Sequence, residues 1–379
     1  MEFPTTPLRC SIHIDLYALE RNLGRIRNFL PRTGGYIALV AADAFGIGIE
    51  AACARLMMSG ADAFAVTNLS EAVRVRRVGP GWPVIVLSAS IPGEERFFVE
   101  HSIIPTLAGV EEIGRFERAA REAGVCAAVH MKLPSAAGSA SIPDVPHACE
   151  MLERLLSSDS LRLSALCVPG TGTGAPEASP GPDPDFLRRA ASLLSARRPG
   201  AFIHHGDVFD PSVLPEGART SLRAGLVLFG VKPGADSVLS GFSPEQVLAF
   251  RSAVSHIKRL PAGSYVGYSK TFRLARDSKI ALISAGYGDG LARSAGGRAS
   301  VIVRDTLLPV VGVVSMDQAA VDATALPQIR PSDEAVIVGS TQSHSITIEK
   351  YCADLGVSPA EALTSITQRV ARIYRQSNA

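Results

Sequence analysis

The chain has 379 residues, 46% of them apolar and 20% charged, and a formal charge of +2. This suits a core large enough for two domains, or for one barrel with an appendage, and excludes a disordered class. The near-neutral balance also excludes a general electrostatic binder of nucleic acid or of membrane surfaces. Six scattered cysteines at 10, 53, 126, 149, 167 and 352 show no metal-like spacing and read as reduced core thiols. Met1 to Arg9 lacks an apolar run of signal length, and no later stretch approaches about eighteen unbroken apolar residues. A cytoplasmic protein that spans no membrane is expected.

Ser11 to Asp15 alternates as a short strand, and Leu16, Leu19, Leu23, Ile26 and Leu30 then recur at helical spacing. Ala38-Leu39-Val40 reads as the end of a buried strand, turned sharply by Gly46 and Gly48 before a helix near Glu50. The strand-then-helix rhythm continues through Ala63–Val66, Val84–Leu87, Ile103–Leu107, Val125–Leu133, Leu161–Val168, Ala201–His205 and Leu222–Gly230. Eight such units predict a (β/α)8 barrel of the TIM type rather than an open doubly wound sheet. Pro134–Pro146 and Pro169–Pro184, both rich in small and polar residues, would be loops on the active-site face. After about Pro244 short strand patterns dominate, from Phe250–Leu260 to Ala335–Val338, and Ser358–Arg375 reads as a final helix. The reading is therefore a barrel over residues 12–245 and a β-rich domain over 246–379 together with 1–11.

The stretch from Ala38 to Gly48 resembles the pyridoxal-phosphate signature of the alanine racemases, roughly A-V-V-K-A-N-A-Y-G-H-G. Other segments resemble that family in the same order: Ile14-Asp15-Leu16 with Asn22, Gly60–Val66 with Glu71-Ala72, Arg223 to Gly230, Val266–Phe272, Ala285–Arg293 and Gly312–Gln318. The resemblance implies a homodimer whose site is completed from the partner subunit. It also implies a catalytic lysine at position 41, where this chain has Ala41. Family phosphate-binding hydroxyls fall on Phe45, Val208 and Gln368, a histidine falls at or near Pro169, and the arginine that orients a catalytic tyrosine falls on Ser139. Each lost donor would leave a bound phosphate less satisfied by roughly 1–3 kcal/mol. No tight pyridoxal phosphate binding is therefore expected, and no other cofactor is implied.

The same resemblance carries over Arg223 (facing the cofactor ring), Tyr268 (the second base, from the partner), and Tyr287, Met316 and Asp317 (substrate entry and carboxylate binding). Lys132 also survives, its family counterpart being able to carry a carbamate. Asp43, Asp207 and His205 are new groups on offer. Blander readings stand beside these: Tyr268 packing a dimer seam, Arg223 pairing with Asp207 or Asp43, Lys132 in an ion pair. His204-His205-Gly206-Asp207 invites a metal reading, but neighbouring strand residues face opposite sides. That leaves His205 and Asp207 on one face with no clear third ligand, and no metal is expected.

Three functions follow. The first is a homodimer that has abandoned pyridoxal phosphate and moves protons on a small amino-acid-like or carboxylate metabolite, by analogy in specialised biosynthesis. There Arg223 holds a carboxylate, and Tyr268 acts with Asp207, His205 or Asp43. The second is a non-catalytic scaffold, whose pocket would be filled by side chains. The third is a racemase holding the cofactor non-covalently, with Lys132 or Lys270 as surrogate amine.

Overall fold

A computed structural model describes residues 8–31, 34–134, 142–169 and 182–375. The first strand, β1 (Cys10–Asp15), feeds the helix Leu16–Arg27, where the Asp15 carboxylate accepts from the Tyr17 and Ala18 amides at 2.9 and 3.0 Å. Eight parallel strands then close into a barrel: β2 (Gly35–Leu39), β3 (Ala63–Val66), β4 (Val84–Val86), β5 (Ile104–Leu107), β6 (Ala127–Lys132), β7 (Leu161–Cys167), β8 (Phe202–His205) and β9 (Thr220–Ala224). Closure runs through β2 and β9, with Ile37 opposite Arg223. This is the predicted (β/α)8 barrel, followed by the predicted β-rich domain.

Two expectations are corrected. β1 is not a barrel element: it sits in a nine-stranded sheet, antiparallel to Leu248–Leu260 and parallel to Ala371–Arg375. A boundary at residue 12 thus cuts through a strand of the second domain's sheet. The expected final helix is also split, into a short helix Pro359–Thr364 and the edge strand Ala371–Arg375. The apolar spacing of Leu363, Ile366 and Val370 mimics a helix, but each is buried from a different local geometry, and pairing with β1 overrides the pattern. Of the cysteines expected in the core, Cys126 and Cys149 are exposed, while all six remain free thiols.

A buried asparagine ties the first helix to the segment that leaves the barrel after β9. Asn22 donates to the carbonyls of Leu228 and Glu245 at 3.0 and 2.8 Å and accepts from the Glu245 amide at 2.8 Å. Three of its hydrogen-bonding positions are filled, which is why a polar residue sits on the buried face of an amphipathic helix.

The turn after β2 is the most unusual backbone in the molecule. Ala42, Asp43, Ala44 and Phe45 have φ of 53–58°, a left-handed turn built without glycine, before Gly46 (φ 79°) and Gly48 (φ 110°) release it. Such a conformation costs L-residues roughly 1–2 kcal/mol each. The Glu71 carboxylate accepts from the Ala42 and Asp43 amides at 3.2 and 2.7 Å. Arg74, one turn along the same helix, holds the Asp43 carboxylate at 2.7 Å, and that carboxylate caps the Ile49 amide at 3.1 Å. From the second domain, Arg372 reaches the Gly46 carbonyl at 3.0 Å and the Tyr374 hydroxyl donates to the Ile47 carbonyl at 2.8 Å.

Inside the barrel, an apolar layer of Ile37, Ala63, Ala65 and Ile85, backed by Leu39, Leu87, Ile104 and Phe202, fills one end. Above it lies a polar layer in which His130 Nδ1 is 3.0 Å from His204 Nε2. Both rings are buried, at 1% and 0% exposure. Burial, with Arg223 adding to it, pushes the His130 imidazole from 6.5 down to about 3. Burial also holds His204 well below the usual histidine range, helped by His130 and Arg223.

Two predictions follow from this scaffold. Glu71→Ala leaves the partly buried Ala42 and Asp43 amides without their carboxylate and releases a strained turn, so the urea midpoint is expected to fall by the equivalent of roughly 1–3 kcal/mol; an unchanged midpoint would show the turn to be held elsewhere. The histidine pair is neutral when folded, whereas an unfolded chain takes up protons near pH 6.5. Its contribution is therefore intact above that pH and lost progressively as pH falls towards 3, on the order of a few kcal/mol. Chemical denaturation across that window is expected to give a shallower pH slope for His130→Gln than for the native chain; equal slopes would refute the assignment.

Candidate active site

Strand alternation decides what the barrel mouth offers. On β9, Ser221 and Arg223 face the lumen, and on β8 the inward residues are Phe202 and His204. Arg223 is only 8% exposed and donates to His204 Nδ1 at 2.7 Å, to Cys167 Sγ at 3.4 Å and to the Val168 carbonyl at 3.2 Å. A guanidinium has no acceptor, so His204 must accept at Nδ1 and carry its proton at Nε2, which it donates to His130. The relay from Arg223 to His130 is then neutral apart from the guanidinium itself. Among the described residues no carboxylate lies within 4.0 Å of Arg223, and the structural pairing with Asp207 or Asp43 is not formed. A buried cation with only neutral partners is a place where an anion gains.

Arg223 lines a cavity of about 440 Å³ with Asp207, Phe45, Leu226 and Lys232. Asp207 accepts from the Ser237 hydroxyl at 3.0 Å and supplies the only carboxylate of that lining. The Phe45 ring packs on Phe229 with centroids 5.3 Å apart. Gly225 sits beneath that ring and the Leu39 carbonyl, where a Cβ would collide with both. Lys132, at the end of β6, is half-buried and, among the described residues, reaches the Leu87 carbonyl at 3.4 Å.

Other expected site residues lie elsewhere. His205 faces away from the lumen: its Nδ1 meets the Gly206 carbonyl at 2.8 Å, its ring packs on Phe209, and it lines a separate cavity with Leu222 and Leu239. The inward histidine is His204, so the expected pairing of His205 with Asp207 on one face is reversed. Sequence alone gave each parity of β8 one histidine and no means to choose; the neighbouring Arg223 makes the choice. Asp43 is committed to Arg74 and the Ile49 amide, which makes it a strut of the turn rather than a free carboxylate. Val208 lies in the turn after β8, and Ser139 is outside the described residues. Glu71, Cys167 and His130 were not anticipated as site supports.

Tyr268, Tyr287 and Met316 form a second group on the β-rich domain, at 67%, 42% and 52% exposure. They gather around Ser315, whose carbonyl accepts from the Tyr287 amide at 2.9 Å and which lines a pocket with Tyr268 and Tyr265. Asp317 is drawn to Arg369 at 2.8 Å, and Arg369 also holds Asp289 at 2.7 Å. Asp289 in turn accepts from the Gly286 amide at 2.8 Å, so the Gly-Tyr-Gly-Asp-Gly motif is a turn locked against the Ser315-Met316 backbone. Lys270 lies near the exposed Tyr265 ring, 5.9 Å from its centroid, and not at the barrel mouth. Among the described residues, no hydrogen bond or ion pair joins this group to Arg223 within one chain. No helix is long and apolar enough to cross a membrane, among the described residues.

Comparison with known proteins agrees with the architecture at both ends of the chain. Residues 14–167 match "Alanine racemase, N-terminal domain" and residues 247–374 match "Alanine racemase, C-terminal domain". An alanine racemase of Syntrophobacter fumaroxidans is 30% identical over 94% of this chain and 94% of its own, and one of Desulfosudis oleivorans is 29% identical over 95% of each. Among solved structures, the alanine racemase from Streptomyces coelicolor A3(2) superposes with a TM-score of 0.85 at 24% identity, covering 97% of this chain and 98% of its own. That of Bartonella henselae, described with covalently bound pyridoxal phosphate, superposes at 0.82 with 23% identity, covering 97% and 100%. With both domains matched in order along nearly its whole length, the chain belongs to the alanine racemase family.

Proposed function

We propose that this member of the family works without pyridoxal phosphate, as an enzyme that moves protons on a small amino-acid-like metabolite bearing a carboxylate. The observation that carries the reading is Arg223, a buried guanidinium held by neutral groups on the wall of a cavity. A ligand carboxylate there would supply the missing charge partner, in a charge-assisted contact of the stronger kind.

The residues present do not fit the cofactor that the Bartonella relative holds. Ala41 has no amine to bond an aldehyde, Phe45 presents a ring edge where a hydroxyl would be needed, and Val208 and Gln368 complete the loss by resemblance. The cavity carries one carboxylate, Asp207, beside the cations Arg223 and Lys232. In the proposed reaction Asp207, steadied by Ser237, takes or returns a proton beside a carboxylate anchored on Arg223. Tyr268 serves as the opposing acid or base, delivered by a second copy of the chain. Exposure of Tyr265, Tyr268, Tyr287 and Met316 around Ser315 supports that assembly, since each is a large side chain left in water by the single chain. An open cavity beside Arg223 favours an enzyme over a scaffold, which would have no need of the space.

Near-ultraviolet and visible spectra of the purified protein, with and without pyridoxal phosphate, test the first half of this reading. The added cofactor is expected to keep its free spectrum and to leave completely on desalting; a retained band that responds to amino acids would overturn the proposal. Calorimetric titration with small carboxylates tests the second half. Arg223→Lys is expected to weaken binding about tenfold or more, because a point ammonium cannot reproduce the guanidinium's several fixed contacts. Unchanged affinity would place the carboxylate elsewhere.

A further inference from the structure

Lys132 stands at the barrel mouth, and the proposed reaction leaves it without a task. It faces the lumen, two residues beyond the inward His130 on β6, and stands in register with Cys167 on β7. The Cys167 thiol is itself 3.4 Å from Arg223 Nη1, so the guanidinium reaches the strand position that pairs with Lys132. Among the described residues no acid lies within ion-pair distance of Lys132, and its one hydrogen bond, to the Leu87 carbonyl, is long at 3.4 Å. Glu112, the nearest acid to act on it, is already taken by the Ser90 hydroxyl at 2.8 Å and by the Ala108 amide at 2.9 Å. Burial, with the Arg223 guanidinium adding to it, pushes the Lys132 ammonium below its usual range against the opposing pull of Cys167 and Glu112. A lysine so placed spends more of its time as the free amine, the form that attacks carbonyl carbon.

We propose that Lys132 is an imine-forming amine and that, together with Arg223, it makes the barrel mouth a site for small 2-oxo acids. The proposal rests on the carboxylate role of Arg223 given above. The ligand's carboxylate lies on Arg223, which brings its ketone carbon to the lumen wall that carries Lys132. The Nζ lone pair attacks that carbon and a C–N bond forms. The carbonyl oxygen then departs as water, taking both amine protons, and leaves a C=N bond between ligand and lysine. Nothing is oxidised or reduced, and no further reactant is needed.

The test uses the full-length protein incubated with pyruvate and cyanoborohydride, a mild hydride donor that fixes an imine as a stable amine, followed by peptide mass mapping. One reduced adduct is expected, on Lys132, well above any at Lys232, Lys258, Lys270, Lys279 or Lys350. L-Lactate, which offers the same carboxylate without a ketone, is expected to compete, and Arg223→Lys to lower labelling at Lys132 about tenfold. Lys132→Arg keeps a cation at the site and is expected to abolish the adduct while leaving the circular dichroism spectrum and the calorimetric binding of L-lactate intact. Labelling spread over the exposed lysines, or unaffected by lactate, overturns the proposal. Should pyruvate and lactate both bind through Arg223 while Lys132 stays unlabelled, the imine is wrong and the carboxylate reading survives. If neither acid binds, both fall together.

Discussion

A left-handed turn made of ordinary residues holds this molecule in its working shape. Ala42 to Phe45 sit where L-residues lose energy, and nothing in their own side chains except the Asp43 carboxylate compensates. The compensation comes from outside: Glu71 and Arg74 on a barrel helix, Arg372 and Tyr374 on an edge strand of the second domain. The turn is therefore also a junction. That edge strand pairs with β1, β1 runs directly into the first helix, and Asn22 on that helix grips the loops that follow β9. A disturbance at the turn would reach both domains, since every one of its supports belongs to an element with a second duty.

The barrel mouth shows a different economy. Below it the lumen is apolar and closed, as in any packed barrel. At the mouth the polar layer is built so that protons are fixed and charge is not cancelled. Arg223 sets the tautomer of His204, and His204 sets that of His130, but neither ring neutralises the guanidinium. A structural arginine is ordinarily satisfied by an acid, because breaking such a pair in a buried place costs several kcal/mol. Here, among the described residues, no acid pairs with the guanidinium, and a cavity stands open beside it.

Much of this was legible in the sequence, for reasons that separate the fold from the site. Strands such as β3, β4 and β7 announce themselves because they are largely apolar, buried runs, and burial on both faces leaves little ambiguity. Motif glycines were legible too: Gly286 and Gly225 stand where another backbone or ring passes too close for a Cβ. The failures share one cause, which is that partners far apart in sequence decide local geometry. Whether His204 or His205 looks inward depends on the register against Arg223, and β1 belongs to the second domain because its partners are residues 248–260 and 371–375. Asp43 looked like a free carboxylate because Arg74, thirty-one residues later, cannot be read as its partner from spacing.

Position 41 lies at the edge of the left-handed turn. The strained residues begin at Ala42, so the turn's energy is set by residues 42–45 and by the groups that grip them. None of those contacts involves the side chain at 41, which projects from the start of the turn with only a methyl group. A scaffold arranged in this way can exchange the residue at 41 without reopening the turn, whereas it cannot exchange Glu71 on the same terms. The fold at this corner therefore rests on Glu71, Arg74, Arg372 and Tyr374, and position 41 is left outside that set of contacts.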